Sequence, residues 1–144
     1  MTAMSGKIFV DSNVLIYAAT GREDSPVKFR RAEEIVEREE ICLSTQVIGE
    51  FIRNVQNAKK MKRPLTPAET AKWVDKLFEF PLVSIDRAII ETAMLVQQRY
   101  QIGYWDGQIL AAAESIGAEI LYSEELNHGQ AYGSVRCQNP FRTQ

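Results

Sequence analysis

The chain has 144 residues, 45% hydrophobic and 25% charged, which suits one domain over 1–144 with one buried core and excludes a disordered polypeptide. A net charge of −2 gives no general basic footprint, so any hold on nucleic acid must come from local patches or metal ions. Apolar runs such as Ile109–Ala113 fall far short of the ~20 residues of a membrane helix, and Met-Thr-Ala-Met-Ser-Gly-Lys at the start lacks a signal peptide's apolar stretch, so a soluble cytoplasmic protein with no membrane partner is expected.

In chain order, Lys7–Val10 is a short β-favouring run, and Asp11-Ser12-Asn13 follows as a turn or helix cap leading into Val14–Ala19. Ser25-Pro26 pairs a cap residue with proline at the first helical position. Phe29, Ala32, Ile35 and Val36 then recur at helical spacing in a charged helix running through Glu40. Ile41–Leu43 is a second strand, passing through Ser44-Thr45 into a helix with Val47, Ile48, Phe51, Ile52 and Val55 on one face. Glu50 lies off that face and forms, with Asn54 and Asn57, a polar strip suited to bordering a cleft. Taken alone it reads as a surface glutamate. Lys59, Lys60, Lys62 and Arg63 lie just before Pro64, where that helix is expected to end. They are candidates for gripping nucleic-acid phosphates, with a solvated loop as the plainer reading of charge alone.

Thr66-Pro67-Ala68-Glu69 combines a cap, proline at N1 and glutamate at N3, predicting a helix that turns Trp73, Leu77 and Phe78 inward. Leu82–Ser84 is a third strand, and Asp86 caps a helix reaching about Arg99, with Ile89, Ala93 and Val96 apolar along it. That capping role sets Asp86 apart from the candidate site. Tyr104-Trp105-Asp106 opens the next helix, which stops at Gly117. Asp106 shares its buried face with Ile109, Leu110 and Ala113, although an aspartate at a helix start is also an ordinary cap. Glu119–Tyr122 and Val135–Cys137 are the fourth and fifth strands, separated by Ser123-Glu124-Glu125-Leu126-Asn127-His128-Gly129. The alternation implies an α/β fold, a mostly parallel sheet of four to five strands flanked by helices. Cys42 and Cys137 fall in strand-like runs without metal-ligand spacing and read as reduced thiols.

In a parallel sheet Asp11 and Glu125 leave strands at one edge, and the helices after Ser44 and Trp105 bring Glu50 and Asp106 toward it. Two bare charges 4 Å apart repel by ~4 kcal/mol at an effective dielectric near 20, a conflict that a divalent cation removes. Oxygen-only ligation selects Mg²⁺ or Mn²⁺, and the chain has no His/Cys set for zinc. Such ions suit phosphodiester hydrolysis. The single histidine, His128, and the lack of a nucleophile motif argue against a Ser-His-Asp hydrolase, and there is no Gly-rich phosphate loop.

Phe9-Val10-Asp11-Ser12-Asn13-Val14-Leu15, the Glu50 of Ser44-Thr45-Gln46-Val47-Ile48-Gly49-Glu50-Phe51, Tyr104-Trp105-Asp106 and Leu121-Tyr122-Ser123-Glu124-Glu125-Leu126 resemble, in order and spacing, the acidic motifs of PIN-domain nucleases. At this size the chain is similar to the VapC-type toxins of toxin–antitoxin pairs. The resemblance implies a PIN-like three-layer sandwich and a Mg²⁺- or Mn²⁺-dependent endoribonuclease that is dimeric and held inactive by a cognate antitoxin. It also implies a catalytic set of Asp11, Glu50, Asp106 and Glu125, with Asp11, Asp106 and Glu125 as metal ligands and Asn13, Ser123 and Asn127 supporting them. Glu124 reads as solvent-facing. Glu125 departs from the family, which usually has aspartate there; its carboxylate reaches farther by about one C–C bond, ~1.5 Å. Tyr104 and Trp105 are open to base stacking, whereas Trp73 reads as core. Two other functions fit the residues less closely: a PIN-fold interaction module with little catalysis, and a metal-dependent phosphatase, which would want a second aspartate at Asn13.

Overall fold

The computed structural model describes residues 7–142, so the leader reading of the first six residues and the outer ends of the 1–144 domain lie outside the described part. Six strands form one sheet: β1 (Ile8–Val10), β2 (Ile41–Ser44), β3 (Leu82–Val83), β4 (Ile120–Tyr122), β5 (Ala131–Tyr132) and β6 (Val135–Gln138), in the order β3-β2-β1-β4-β6-β5. All neighbours are parallel except β5 and β6. Every residue of β1 and β2 is buried. That is why they read as continuous apolar runs, as in sheets covered on both faces. The added strand is β5, two residues paired to β6 across Gly133-Ser134, with Gly133 at φ 64°. It is too short to show a hydrophobic pattern, although Gly-Ser between paired residues is itself a hairpin signal.

The helices are α1 (Ser12–Asp24), α2 (Pro26–Arg38), α3 (Thr45–Val55), α4 (Pro67–Leu77), α5 (Arg87–Tyr100) and α6 (Tyr104–Ser115). Capping explains most of their starts. Ser44 Oγ accepts from Val47 N, Asp86 Oδ1 accepts from Ile89 N at 3.0 Å, and Thr66 and Glu69 form a full capping box. Ser25 makes no side-chain capping bond, and Pro26 at N1 sets the start of α2. Right-handed crossovers place α1–α4 on one face of the sheet and α5–α6, returning from β3 to β4, on the other. The result is a three-layer sandwich whose strand order turns back between β1 and β4. In open α/β sheets, ligands bind outside the carboxyl ends of the strands at that point.

Two local expectations are corrected. α3 ends at Val55 rather than near Pro64, because Asn57 Oδ1 captures Lys59 N at 2.9 Å and a chain of turns follows. The basic cluster therefore sits on a loop. Phe78 is exposed rather than inward, since it caps α4 beyond the last turn of the apolar stripe.

Phe9, Val10, Leu15, Ile35, Leu43, Val47, Phe51, Leu77 and Leu121 fill the core between sheet and helices. Each such buried side chain stabilises the fold by roughly 1.5–3 kcal/mol. Trp73 packs against Phe51, ring centroids 6.0 Å apart. α5 and α6 approach so closely that a Cβ at Gly107 would lie 2.8 Å from Ala93 O. That contact sets the height of the residue before it, Asp106.

Candidate active site at the carboxyl edge of the sheet

Asp11 ends β1 and caps α1. It is 3% exposed, and both of its oxygens are held: Oδ1 accepts from Ser12 N at 2.7 Å and Oδ2 from Ser123 Oγ at 2.8 Å. Ser123 sits at the end of β4, the strand paired with β1, and its Oγ also accepts from Glu125 N at 3.1 Å. One buried hydroxyl thus ties the first acid to the backbone of the fourth, across the point where the strand order turns back.

Glu50 reaches the same crevice from α3. Ser12 Oγ donates to its Oε1 and Gln46 Nε2 to its Oε2, each at 3.1 Å. Behind Glu50 the polarity of the hydrogen bonds is fixed. Because a carboxylate only accepts, Gln46 turns its nitrogen to Glu50, leaving Oε1 to accept from Gln108 Nε2 at 2.7 Å; Gln108 Oε1 in turn accepts from Tyr104 O–H at 2.7 Å. Asp106 occupies the first turn of α6, which starts from Gly103 without a side-chain cap. The capping alternative for Asp106 is therefore set aside.

Three of the acids are held above the ordinary carboxylate range. Burial pushes Asp11 up to about 7, against the pull of its Ser123 and Ser12 hydrogen bonds, with Glu125 and Glu50 adding to the rise. Asp106 is raised by burial and then by Glu50; Glu125 is raised by burial and then by Asp106, Glu50 and Glu124. This is the signature of a carboxylate cluster short of positive charge. Among the described residues, no three acidic, histidine or cysteine side chains lie close enough to ligate one ion as they stand. The donor set nonetheless fits a hard divalent cation: every candidate atom is oxygen. Beside it, the buried Oδ1 and Nδ2 of Asn13 have no hydrogen-bond partner, a deficit that costs about 1–3 kcal/mol unless something fills it.

Asp11, Glu50, Asp106, Glu125, Asn13 and Ser123 thus share one edge of the sheet. Asn127 does not join them; it lies exposed in the turn before β5, its amide donating to Gln130 Oε1 at 2.9 Å. Glu124 is not solvent-facing either, because Lys28 Nζ at 2.9 Å and Tyr17 O–H at 2.5 Å both donate to it. It closes one wall and is committed to its own ion pair. Of the basic residues, Lys60 lines the crevice of about 550 Å³ that contains Ser12, Asn13, Glu50 and Glu125. Lys62 faces Asp24 at 4.0 Å, and Arg63 lines a separate cavity with Thr20 and Glu23. Lys59 is exposed on the loop. Arg53 also lines the crevice; its place one helical turn from Gly49 and Glu50 is the only mark of this in the sequence. Gln46 and Gln108 were missed too, since amides carry no motif. His128 is peripheral, its Nδ1 accepting from Asn139 N at 3.0 Å.

A family model described as PIN domain matches residues 8–131. Among solved structures, a toxin–antitoxin complex from Klebsiella pneumoniae aligns with a TM-score of 0.65 at 21% identity, covering 89% of this chain and 94% of that one. VapC20 of Mycobacterium tuberculosis, a sarcin–ricin loop cleaving toxin, aligns at 0.64 and 14% identity over 82% and 89% of the two chains. VapBC2 from Rickettsia felis, bound to a DNA fragment from its promoter, aligns at 0.61 and 15% identity over 92% and 97%. At these identities the likeness is one of fold. No curated protein matches the chain in sequence.

Proposed function

The chain belongs to the PIN-domain family, and from that membership and the acidic crevice we propose that it is a Mg²⁺- or Mn²⁺-dependent endoribonuclease, the toxin of a toxin–antitoxin pair. The observation that carries the reading is the Ser123 bridge, which holds Asp11 and the backbone of Glu125 together where the strand order turns back. Asp11, Asp106 and Glu125 would hold the ion and Glu50 would support the cluster. A bound divalent ion would supply Lewis acidity toward a phosphodiester.

The chain's own residues do the rest. Ser12 and Gln46 orient Glu50, Ser123 fixes Asp11, and Arg53 and Lys60 present positive charge to the RNA backbone from the crevice wall. Water adds to phosphorus, the bond to the 3′ oxygen breaks, and the proton passes to that leaving oxygen, giving a 3′-hydroxyl and a 5′-phosphate. A like-charged cluster that a divalent ion would neutralise is the reason to prefer hydrolysis over the interaction-module reading. The phosphatase reading lapses with the family assignment.

The toxin role motivates two partners: a cognate antitoxin, as in the complex from Klebsiella pneumoniae, and a second copy of this chain. For the homodimer we favour α5, where Ile90, Met94 and Leu95 are all exposed, over the single exposed Val27 on α2. We place its action in the cytoplasm, where its RNA targets and reduced Cys42 and Cys137 belong; among the described residues no helix is long and apolar enough to cross a membrane. Induced expression of the native chain should arrest growth and yield RNA ends bearing 5′-phosphates. Equal arrest by Asp11→Asn would refute the assignment.

A further inference from the structure

We propose that the cavity beside Glu50, floored by Gly49 and walled by Trp105 and Arg53, is a nucleobase subsite that takes one unpaired base of an RNA strand next to the bond that is cut; this rests on the nuclease reading above. The cavity has a volume of about 460 Å³ and is lined by Gln46, Gly49, Glu50, Arg53 and Trp105. It meets the acidic crevice at Glu50 and Arg53, which line both. A phosphate in the crevice therefore has room for a neighbouring base on the far side of Glu50.

Two residues here work against stability. Trp105 is 64% exposed, forgoing the burial that normally makes an indole a core residue. Its ring is nevertheless set in place, edge to face with Tyr104 at 5.1 Å, while its carbonyl accepts from Gln46 Nε2 at 3.3 Å. Gly49 lies in the middle of α3, where glycine weakens a helix relative to alanine. Packing does not require it, because a Cβ there would meet no atom within 4 Å. A side chain at this position would project into the cavity. The glycine keeps the space open.

The occupant follows from the charges. Glu50 at the cavity edge disfavours a second anionic phosphate, whereas a neutral planar base stacks on the indole. Arg53, in none of the ion pairs formed among the described residues, is available to that base or its own phosphate. Both ends of the Gln46 amide are already engaged by Glu50, Trp105 and Gln108. No free amide reads the base edge, so stacking governs and the subsite tolerates different bases.

The test is RNA binding by a Trp73→Phe, Asp106→Asn protein, in which Trp105 is the remaining one of two tryptophans and cleavage is stopped. A single-stranded oligonucleotide should quench Trp105 emission. Gly49→Leu and Trp105→Ala should each weaken binding by about tenfold or more. An abasic nucleotide at one position beside the cut should lose the same factor against the native surface and lose nothing further against Trp105→Ala. Gly49→Ala should melt higher than the parent, and a lower melting point would show that the space is not free. If Gly49→Leu fails to fold, the abasic comparison decides. Native RNA binding and cleavage with no effect of Trp105→Ala or the abasic site overturns the subsite alone. A native protein that neither binds nor cuts RNA overturns the nuclease reading and the subsite with it.

Discussion

Ser123 Oγ donates to Asp11 Oδ2 at 2.8 Å and accepts from Glu125 N at 3.1 Å, so one fully buried hydroxyl ties the carboxylate of the first acid to the backbone of the fourth. Ser123→Ala leaves a buried carboxylate oxygen without its donor. We expect a loss of about 1–3 kcal/mol in urea unfolding and RNA cleavage at least tenfold slower. A variant with native stability and native rate would show the bridge to be incidental.

The protonation of Asp11 predicts a pH signature in metal-free protein. Its folded value of about 7 lies above the ordinary 3.8, so the folded state binds this proton more tightly than the unfolded chain. Stability from this group is complete below about pH 4 and is lost as pH rises toward 7, by roughly 4 kcal/mol at the limit. Asp11→Asn should flatten that part of the stability profile. Mn²⁺ should raise the melting temperature most above pH 7, where the carboxylate is free to bind it. The same pH slope in native and Asp11→Asn protein would place the proton elsewhere.

The amide chain behind Glu50 has one consistent polarity. Gln108→Leu strands Gln46 Oε1 and the Tyr104 hydroxyl, and should cost about 1–3 kcal/mol. Gln108→Glu presents an acceptor to Gln46 Oε1, turning that amide over and bringing its oxygen against Glu50. Turnover should fall more in Gln108→Glu than in Gln108→Leu, with RNA affinity little changed; single-turnover rates and binding isotherms separate the two quantities. Equal rates in both variants would show that the relay does not orient Glu50 for turnover.

Gly107→Ala should destabilise the chain by about 1–3 kcal/mol although alanine is the better helix former. Its methyl would have to displace the Ala93 carbonyl, 2.8 Å away, and carry Asp106 with it. Urea unfolding and Mn²⁺ affinity both report the shift. A gain in stability would mean that the two helices have slack.

On α5, Met94 and Leu95 are 59% and 67% exposed. If this face joins two copies, Leu95→Lys should convert a dimer to a monomer in light scattering at micromolar concentration, leaving the melting profile of the monomer cooperative. A dimer that survives moves the interface to another face.

Much of this architecture is legible in the residues because it follows from local rules. Buried strands are continuous apolar runs, and Asp86 and Thr66 announce their helices through capping geometry. The acids stand just past strand ends or in the first two turns of helices, which the parallel topology brings to one edge. What was not legible depends on distant partners. The loss of helix after Val55 turns on the competing Asn57 side chain, and Glu124 is fixed by Lys28 and Tyr17, about a hundred residues away in sequence. The roles of Gln46 and Gln108 exist only once α3 and α6 face each other. Asn127 could not be told from a true neighbour of the acids until the turn before β5 engaged it with Gln130.

We propose that these carboxylates form a metal-dependent centre that cuts RNA. Its most direct test is single-turnover cleavage of a labelled RNA across a Mn²⁺ titration, for native protein and for Asp106→Asn with its fold checked by melting. Cleavage by the native chain should be saturable and Mn²⁺-dependent, abolished by chelator and reduced at least a hundredfold in a fully folded Asp106→Asn, roughly 2.7 kcal/mol of transition-state stabilisation. Cleavage that proceeds equally in the variant, or that persists without divalent ions, would contradict it.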